Sequence, residues 1–288
     1  MSSHDPPLVA VRALVASALA EDLLPLGDLT AALVPAGATG RAHVVARQTG
    51  VVAGSLCVRE TFAQLDPTVH VEWPTEDGRP VKPGDVLGSL MGSCASILTG
   101  ERTALNFLCH LSGVATLTRR FVDATQGRAT VWDTRKTLPG LRALEKAAVR
   151  AGGGRNHRGS LSEMVLVKDN HLAMVGITEA VRRAREAWPA RTVEVECDRP
   201  DQVEEAVAAG ATMVLLDNMT PAEVAACVAL VGGRIPIEVS GGVTLENVGA
   251  YAEAGADLIS TSAITQSAPA LDIGLDVVLD VVANDPAG

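Results

Sequence analysis

Aromatic residues make up only 2% of this 288-residue chain. A core built on stacked rings is therefore not available, and apolar packing must come mainly from Ala, Val and Leu. Positive charge is also scarce: 24 Lys and Arg stand against 34 Asp and Glu, a formal net charge of −10. This balance makes the chain a poor candidate for sequence-independent nucleic-acid binding, which needs an excess of cations facing the phosphates. Its five cysteines (Cys57, Cys94, Cys109, Cys197, Cys227) are odd in number and lack CxxC spacing. That argues against a disulfide framework or a zinc site and favours small buried thiols in a reducing compartment. No apolar run approaches the ~20 residues needed to span a bilayer. Met1–Pro7 has no basic region and reads as a frayed start, while Leu8–Leu24, carrying Arg12, Glu21 and Asp22, reads as an amphipathic helix rather than a secretory signal. The expectation is a cytoplasmic protein with no membrane or nucleic-acid partner.

What is present falls into two textures. Up to about Leu90, short β-type runs (Arg41–Arg47, Val51–Ala53, Val69–Trp73, Val86–Met91) surround a helix at Leu56–Leu65, with turns at 76–80 and 82–85. From Cys94 to about Gln126 the periodicity is helical, with Gly100 and Gly113 as candidate breaks. After Gly127, strand candidates Ala129–Trp132, Met164–Val167, Thr192–Glu196, Thr212–Leu216, Ile235–Val239 and Asp257–Ser260 follow one another. Helices at Leu141–Arg150, Ile177–Trp188, Asp201–Ala209, Pro221–Leu230 and Leu245–Ala254 lie between them. This alternation predicts an α/β fold: an N-terminal α+β domain (1–112) and an incomplete TIM-like (β/α) barrel (113–271). An open doubly wound sheet is the alternative, but no Gly-x-Gly-x-x-Gly follows a strand, which weakens a dinucleotide-binding reading.

In such a barrel, chemistry sits where the strands end. Here the strand ends carry Asp133-Thr134-Arg135-Lys136, Lys168, Glu196, Asp217-Asn218, Ser240-Gly241-Gly242 and Ser260-Thr261-Ser262. Glu194 and Glu196 share one face of their strand. Arg142, Lys146 and Arg150 read instead as solvated helix charges, and His4, His43 and His70 as ordinary hydrogen-bonded histidines. Repetition of ionisable or Gly-rich groups at strand ends points to a site for a multiply charged anion, because buried charge is costly unless paired or ligand-bound. Ser240-Gly241-Gly242 suits phosphate, since glycine lets backbone N–H groups approach and the next helix adds its positive end.

The segments 133–142 (Asp-Thr-Arg-Lys-Thr-Leu-Pro-Gly-Leu-Arg), Asn156-His157-Arg158, Lys168-Asp169-Asn170-His171, Leu216-Asp217-Asn218 and Ser240-Gly241-Gly242 together resemble the quinolinate phosphoribosyltransferase family. The likeness extends to Glu21-Asp22, to Gly27–Thr30, to Gly100–Asn106 and to Leu271–Asp276, nearly the whole chain. The resemblance implies that segment 272–288 returns to the N-terminal domain. It implies a homodimer, with dimer versus hexamer left open, and transfer of the phosphoribosyl group of phosphoribosyl pyrophosphate to quinolinate. The products are nicotinate mononucleotide, pyrophosphate and carbon dioxide, and magnesium (Mg2+) takes part. It implies that Arg135, His157, Arg158 and Lys168 hold the two quinolinate carboxylates, with Arg102 donated across the dimer interface. Lys136 would contact pyrophosphate, and Glu196 and Asp217 would hold the ribose hydroxyls and magnesium. Ser240, Gly241 and Gly242, with the turn Thr261, Ser262, Ala263, would take the 5-phosphate. Lys136, Lys168, Glu196 and Asp217 would be the catalytic set, and His171 would have a supporting role. Ser262 stands where the family usually has glycine. Three other readings stay open: a paralogue of the molybdenum-associated branch with another acceptor, a Schiff-base aldolase using Lys168, and a non-catalytic metabolite-binding protein.

Overall fold

A computed structural model describes residues 4–278 of the chain. Residues 1–3 of the expected frayed start and 279–288 of the expected C-terminal return lie outside the described residues. The described chain forms two compact units. The first takes residues up to Leu117, Pro139–Gly152, and the described residues from Ala268 onward; the second takes Thr118–Leu138 and Gly153–Ser267. The helix Arg142–Ala151, expected among the barrel helices, thus groups with the first unit.

In the first unit, a four-stranded antiparallel sheet has the order Ile273–Val278, Thr39–Ala46, Val86–Ser93, His70–Glu72. The C-terminal strand pairs with Thr39–Ala46 in register Arg41↔Val278 to Ala46↔Ile273. Its core gathers Val44, Phe62, Leu87, Leu90, Ile97 and Leu108, all nearly solvent-free. Burying side chains of this size contributes about 1.5–3 kcal/mol each, so few aromatic rings are needed.

Cys94–Thr125 is one helix of 32 residues. Gly100 and Gly113 do not break it. They are sites of close approach: a Cβ at Gly100 would lie 2.6 Å from Phe62, and one at Gly113 would lie 2.0 Å from the Pro269 carbonyl oxygen. The solvated reading of the helix Arg142–Ala151 is also corrected. Lys146 is buried, Glu145 is fully buried and 2.8 Å from His110 Nε2, and Arg150 donates to the backbone carbonyls of His4 and Asp5. A charged face can be buried when each group finds a partner.

The second unit is built on a six-stranded parallel sheet. Its order is Thr130–Trp132, Leu258–Ser260, Ile237–Ser240, Met213–Asp217, Val193–Cys197, Val165–Val167. The first strand in sequence thus pairs with the last, as in a barrel, while Val165–Val167 closes onto no further strand among the described residues. This is the expected α/β fold with a partial (β/α) barrel. Local signals fix the helices between strands. Pro200 and Pro221 occupy first helical positions, Thr220 and Glu223 form a capping box, and Gly210 and Gly232 close helices in the left-handed conformation. A short helix, Asp169–Val175, lies where none was expected, and the helix expected from Leu245 begins only at Val248.

Candidate active site

Strand alternation decides what enters the barrel. Successive residues point to opposite faces, and Leu166/Lys168, Glu196, Leu215/Asp217, Glu238/Ser240 and Ser260 fall on the inner one. They line a cavity of about 610 Å³ together with Thr134, Arg135, Lys136, His157, Arg158, Asn218, Gly241 and Gly242. Every lining residue belongs to the second unit. Ten residues singled out from sequence meet here: Arg135, Lys136, His157, Arg158, Lys168, Glu196, Asp217, Ser240, Gly241 and Gly242. Thr261, Ser262 and Ala263 follow the lining residue Ser260 but do not line the cavity themselves. Arg102 is exposed on the long helix, within the first unit.

Buried Asp133 organises the loop at 155–158. Its carboxylate accepts from Asn156 Nδ2 at 2.6 Å and from the His157 backbone N–H at 2.9 Å. Arg158 donates through Nη1 to the Met164 carbonyl at 3.2 Å. Burial first, and the charge of Arg135 second, lower the Arg158 pKa from its ordinary value. Two guanidinium groups crowded in this way gain most from a ligand that brings two negative charges.

Also lining the cavity, Lys168 Nζ is bonded to Glu196 Oε2. His171 is no lining residue: its Nδ1 accepts the Lys168 backbone N–H at 3.0 Å and fixes the start of the short helix. Asp217 has its pKa raised by burial and then by the neighbouring Glu196 charge. Two carboxylates that repel each other at a cavity wall suit an oxygen-seeking divalent cation or a developing positive charge.

Asn218, next in the chain, adopts φ +57°, and its backbone N–H donates to the Ser240 carbonyl at 3.0 Å. This brings Asn218 against Gly241, where φ is +85° and a Cβ would lie 2.3 Å from Asn218 Oδ1. Gly241→Ala is therefore expected to destabilise the protein by about 1–3 kcal/mol and to raise KM for a phosphate-bearing substrate selectively; denaturation and steady-state kinetics check both. The late start of the next helix, at Val248, removes the expected helix end from the Gly241-Gly242 turn, so anion binding there falls to the turn backbone. Ser262 does not need glycine's freedom: among described non-glycine residues only Gln126 and Asn218 have positive φ.

Sequence reasoning missed Glu238 and passed over Glu194. The signal was period two: Glu238 sits two residues before Ser240, as Glu194 does before Glu196. Both are essentially unexposed. His157 Nε2 lies 3.1 Å from Glu194 Oε2 and 3.5 Å from Glu238 Oε2. Glu194 Oε1 and Glu238 Oε2 lack another hydrogen-bond partner, and the two carboxyls face each other. One shared proton supplies the missing donor and avoids two buried charges. Burial raises the pKa of both carboxyls, and in Glu238 the Glu194 charge adds to it. Unfolding lets them titrate normally, so the folded state binds the extra proton. This contribution to stability is present below the ordinary carboxyl range and is lost as pH rises through the raised values. Glu238→Gln is expected to flatten that decline, as measured by denaturation midpoints across pH.

Residues 28–112 match the family described as quinolinate phosphoribosyl transferase, N-terminal domain, and residues 114–276 match the corresponding C-terminal domain. The chain is 42% identical over 277 residues to the nicotinate-nucleotide pyrophosphorylase [carboxylating] of Mycobacterium leprae, covering 93% of this chain and 97% of that one. It is 41% identical over 256 residues to the probable enzyme of the same name from Bacillus subtilis, covering 88% and 89%. The solved structure of the nicotinate-nucleotide pyrophosphorylase from Francisella tularensis superposes with a TM-score of 0.92 at 36% identity, covering 96% of this chain and 99% of that one. With both domains matched and a cation-lined cavity at the ends of the barrel strands, this chain belongs to the quinolinate phosphoribosyltransferase family.

Proposed function

We propose that this protein transfers the phosphoribosyl group of phosphoribosyl pyrophosphate to quinolinate and decarboxylates the product. Nicotinate mononucleotide, pyrophosphate and carbon dioxide result, a step of NAD biosynthesis. The observation that carries the reading is the convergence of Arg135, Arg158 and Lys168 with Glu196 and Asp217 around one cavity. A pyridine dicarboxylate matches the cations, and a sugar losing its pyrophosphate matches the carboxylates.

Arg135 and Arg158 clamp the quinolinate carboxylates through fork-shaped donors, with Lys168 as a third cation and the partner's Arg102 as a fourth in a homodimer. Lys136, exposed beside the strand end, contacts the pyrophosphate. Ser240, Gly241 and Gly242 receive the 5-phosphate, and the turn Thr261–Ala263 supports it. As pyrophosphate leaves, the sugar C1 becomes oxocarbenium-like, and Glu196 and Asp217 stabilise that charge. The pyridine nitrogen attacks C1 as the C1–pyrophosphate bond breaks; the cationic ring then stabilises the electron pair left on its carbon as carbon dioxide departs, and a proton from solvent takes that pair to give nicotinate mononucleotide. Alignment of two mutually repelling anions supplies much of the rate. The pair Glu196 and Asp217 fits a magnesium ion, which is hard and oxygen-seeking and when bound neutralises pyrophosphate charge. Cytoplasmic location belongs to the same reading.

The test is purified protein with quinolinate, phosphoribosyl pyrophosphate and magnesium, followed for nicotinate mononucleotide. Turnover of nicotinate but not quinolinate would assign another acceptor. A borohydride-trapped adduct of Lys168 with a sugar phosphate would assign an aldolase. Binding of quinolinate without product would assign a carrier.

A further inference from the structure

We propose that Glu238 and Glu194, acting through His157, are positioning residues that set Arg158 in the cavity, and that His157 spends both ring nitrogens on the protein rather than on a substrate carboxylate. The inference rests on the reading above only in taking Arg158 as a quinolinate ligand.

Nδ1 of His157 lies 2.8 Å from the Arg158 backbone nitrogen, whose N–H donates to it. A neutral imidazole accepting at Nδ1 carries its proton on Nε2. That N–H meets Glu194 Oε2 at 3.1 Å, with Glu238 Oε2 close behind at 3.5 Å. The ring is held on its other sides as well. It is 7% exposed, its centroid lies 5.2 Å from that of Trp132 in an edge-on arrangement, and the His157 backbone N–H is bonded to Asp133. Turning the ring over would set carbon against both the Arg158 N–H and the Glu194 carboxylate. No ring N–H is therefore left to offer a ligand.

A chain of contacts thus runs from the barrel floor to the cavity wall. Glu238 faces Glu194, Glu194 accepts from His157, and His157 accepts from the backbone of Arg158. With the Nη1 bond to the Met164 carbonyl, this pins Arg158 at both ends. The floor also carries negative charge beneath the guanidinium, which favours the arginine in place.

The same three side chains could be taken for a metal site, since their ligand atoms lie within 4.8 Å of one another. The outer contact of the imidazole argues otherwise. A metal at Nε2 takes that lone pair and leaves the proton on Nδ1, and a metal-bound histidine normally donates from its other nitrogen. Here Nδ1 faces a donor, so metal binding would set N–H against N–H.

Two measurements decide the proposal. The first is the nitrogen-15 spectrum of histidine-labelled protein, with and without quinolinate. The expected result is a neutral His157 protonated on Nε2 in both states. An imidazolium, or a ring protonated on Nδ1 in the quinolinate complex, overturns the proposal. The ligand-free spectrum is independent of what the enzyme turns over, so failure of the proposed reaction and failure of this network are distinguishable. The second is kinetic. Glu238→Leu leaves Glu194 and His157 without the third member, and KM for quinolinate is expected to rise about tenfold while KM for phosphoribosyl pyrophosphate moves less than about threefold. Glu238→Gln, which keeps a polar partner for Glu194, is expected to restore most of the loss. An unchanged quinolinate KM in Glu238→Leu, or equal damage to both substrates, overturns the positioning role. If Glu238→Leu does not fold, the spectrum of the unmodified protein still decides.

Discussion

Lys168→Met is expected to fold normally and to lose about 10³-fold or more in kcat/KM for quinolinate. The Lys168 side chain is 43% exposed, so its replacement leaves no sealed cavity and little reason for unfolding. Chemically the change removes two things at once. A cation that would face a quinolinate carboxylate is gone, and Glu196 loses the ammonium bonded to its Oε2. Glu196 is then left beside Asp217 with only the charge of Lys136 and the Asn218 hydrogen bond to ease the strain on Asp217, at the carboxylates that in the proposed reaction face the developing positive charge of the sugar. Lys168→Arg keeps the charge but not the compact geometry, and an intermediate loss is expected. Steady-state kinetics with a circular-dichroism control check the result. A Met variant within tenfold of wild type would remove Lys168 from the reacting groups.

Mixing Arg102→Ala protein with Lys168→Ala protein, under conditions where subunits exchange, is expected to restore about a quarter of wild-type activity from two inactive parents. Random pairing makes about half of the dimers mixed, and each mixed dimer holds one site with both cations and one with neither. The physical basis is the surplus of charge to be met. Arg135 and Arg158 already crowd each other in the cavity, while Arg102 stands exposed on a helix of the first unit. An exposed arginine is free to serve a neighbouring copy. Activity that stays at the level of the parents, with exchange proved by mass spectrometry of the mixed dimers, would place Arg102 within its own subunit's chemistry or outside catalysis altogether.

Much of the barrel was legible because strand and helix signals recur along the chain. Observed strands lie within about two residues of the expected ones. Val193–Cys197, for example, was read from its Val and Glu alternation. Less legible were glycines and charges whose roles depend on distant contacts. Gly100 and Gly113 look like helix breaks in a local window but are required by Phe62 and Pro269. Lys146 and Arg150 look solvated until the first unit packs around them. The Val248 helix is shorter than its apolar pattern suggested, since a turn at 245–247 replaces its first residues. At the site, residues at strand ends were found because barrels place chemistry there. Glu238 was missed because it sits one pleat deeper, inside an apolar run.

Read alone, the sequence was enough to pick out the side chains able to do the chemistry: the cations after the strands, the alternating glutamates, and the Gly241-Gly242 turn. Local spacing suffices for this, because strand period and turn chemistry act over a few residues. How those groups are used came from the folded arrangement, since protonation and donor direction depend on neighbours far apart in the chain. It brought residues from positions 134 to 260 around one cavity, and it turned His157 toward Glu194 and Arg158.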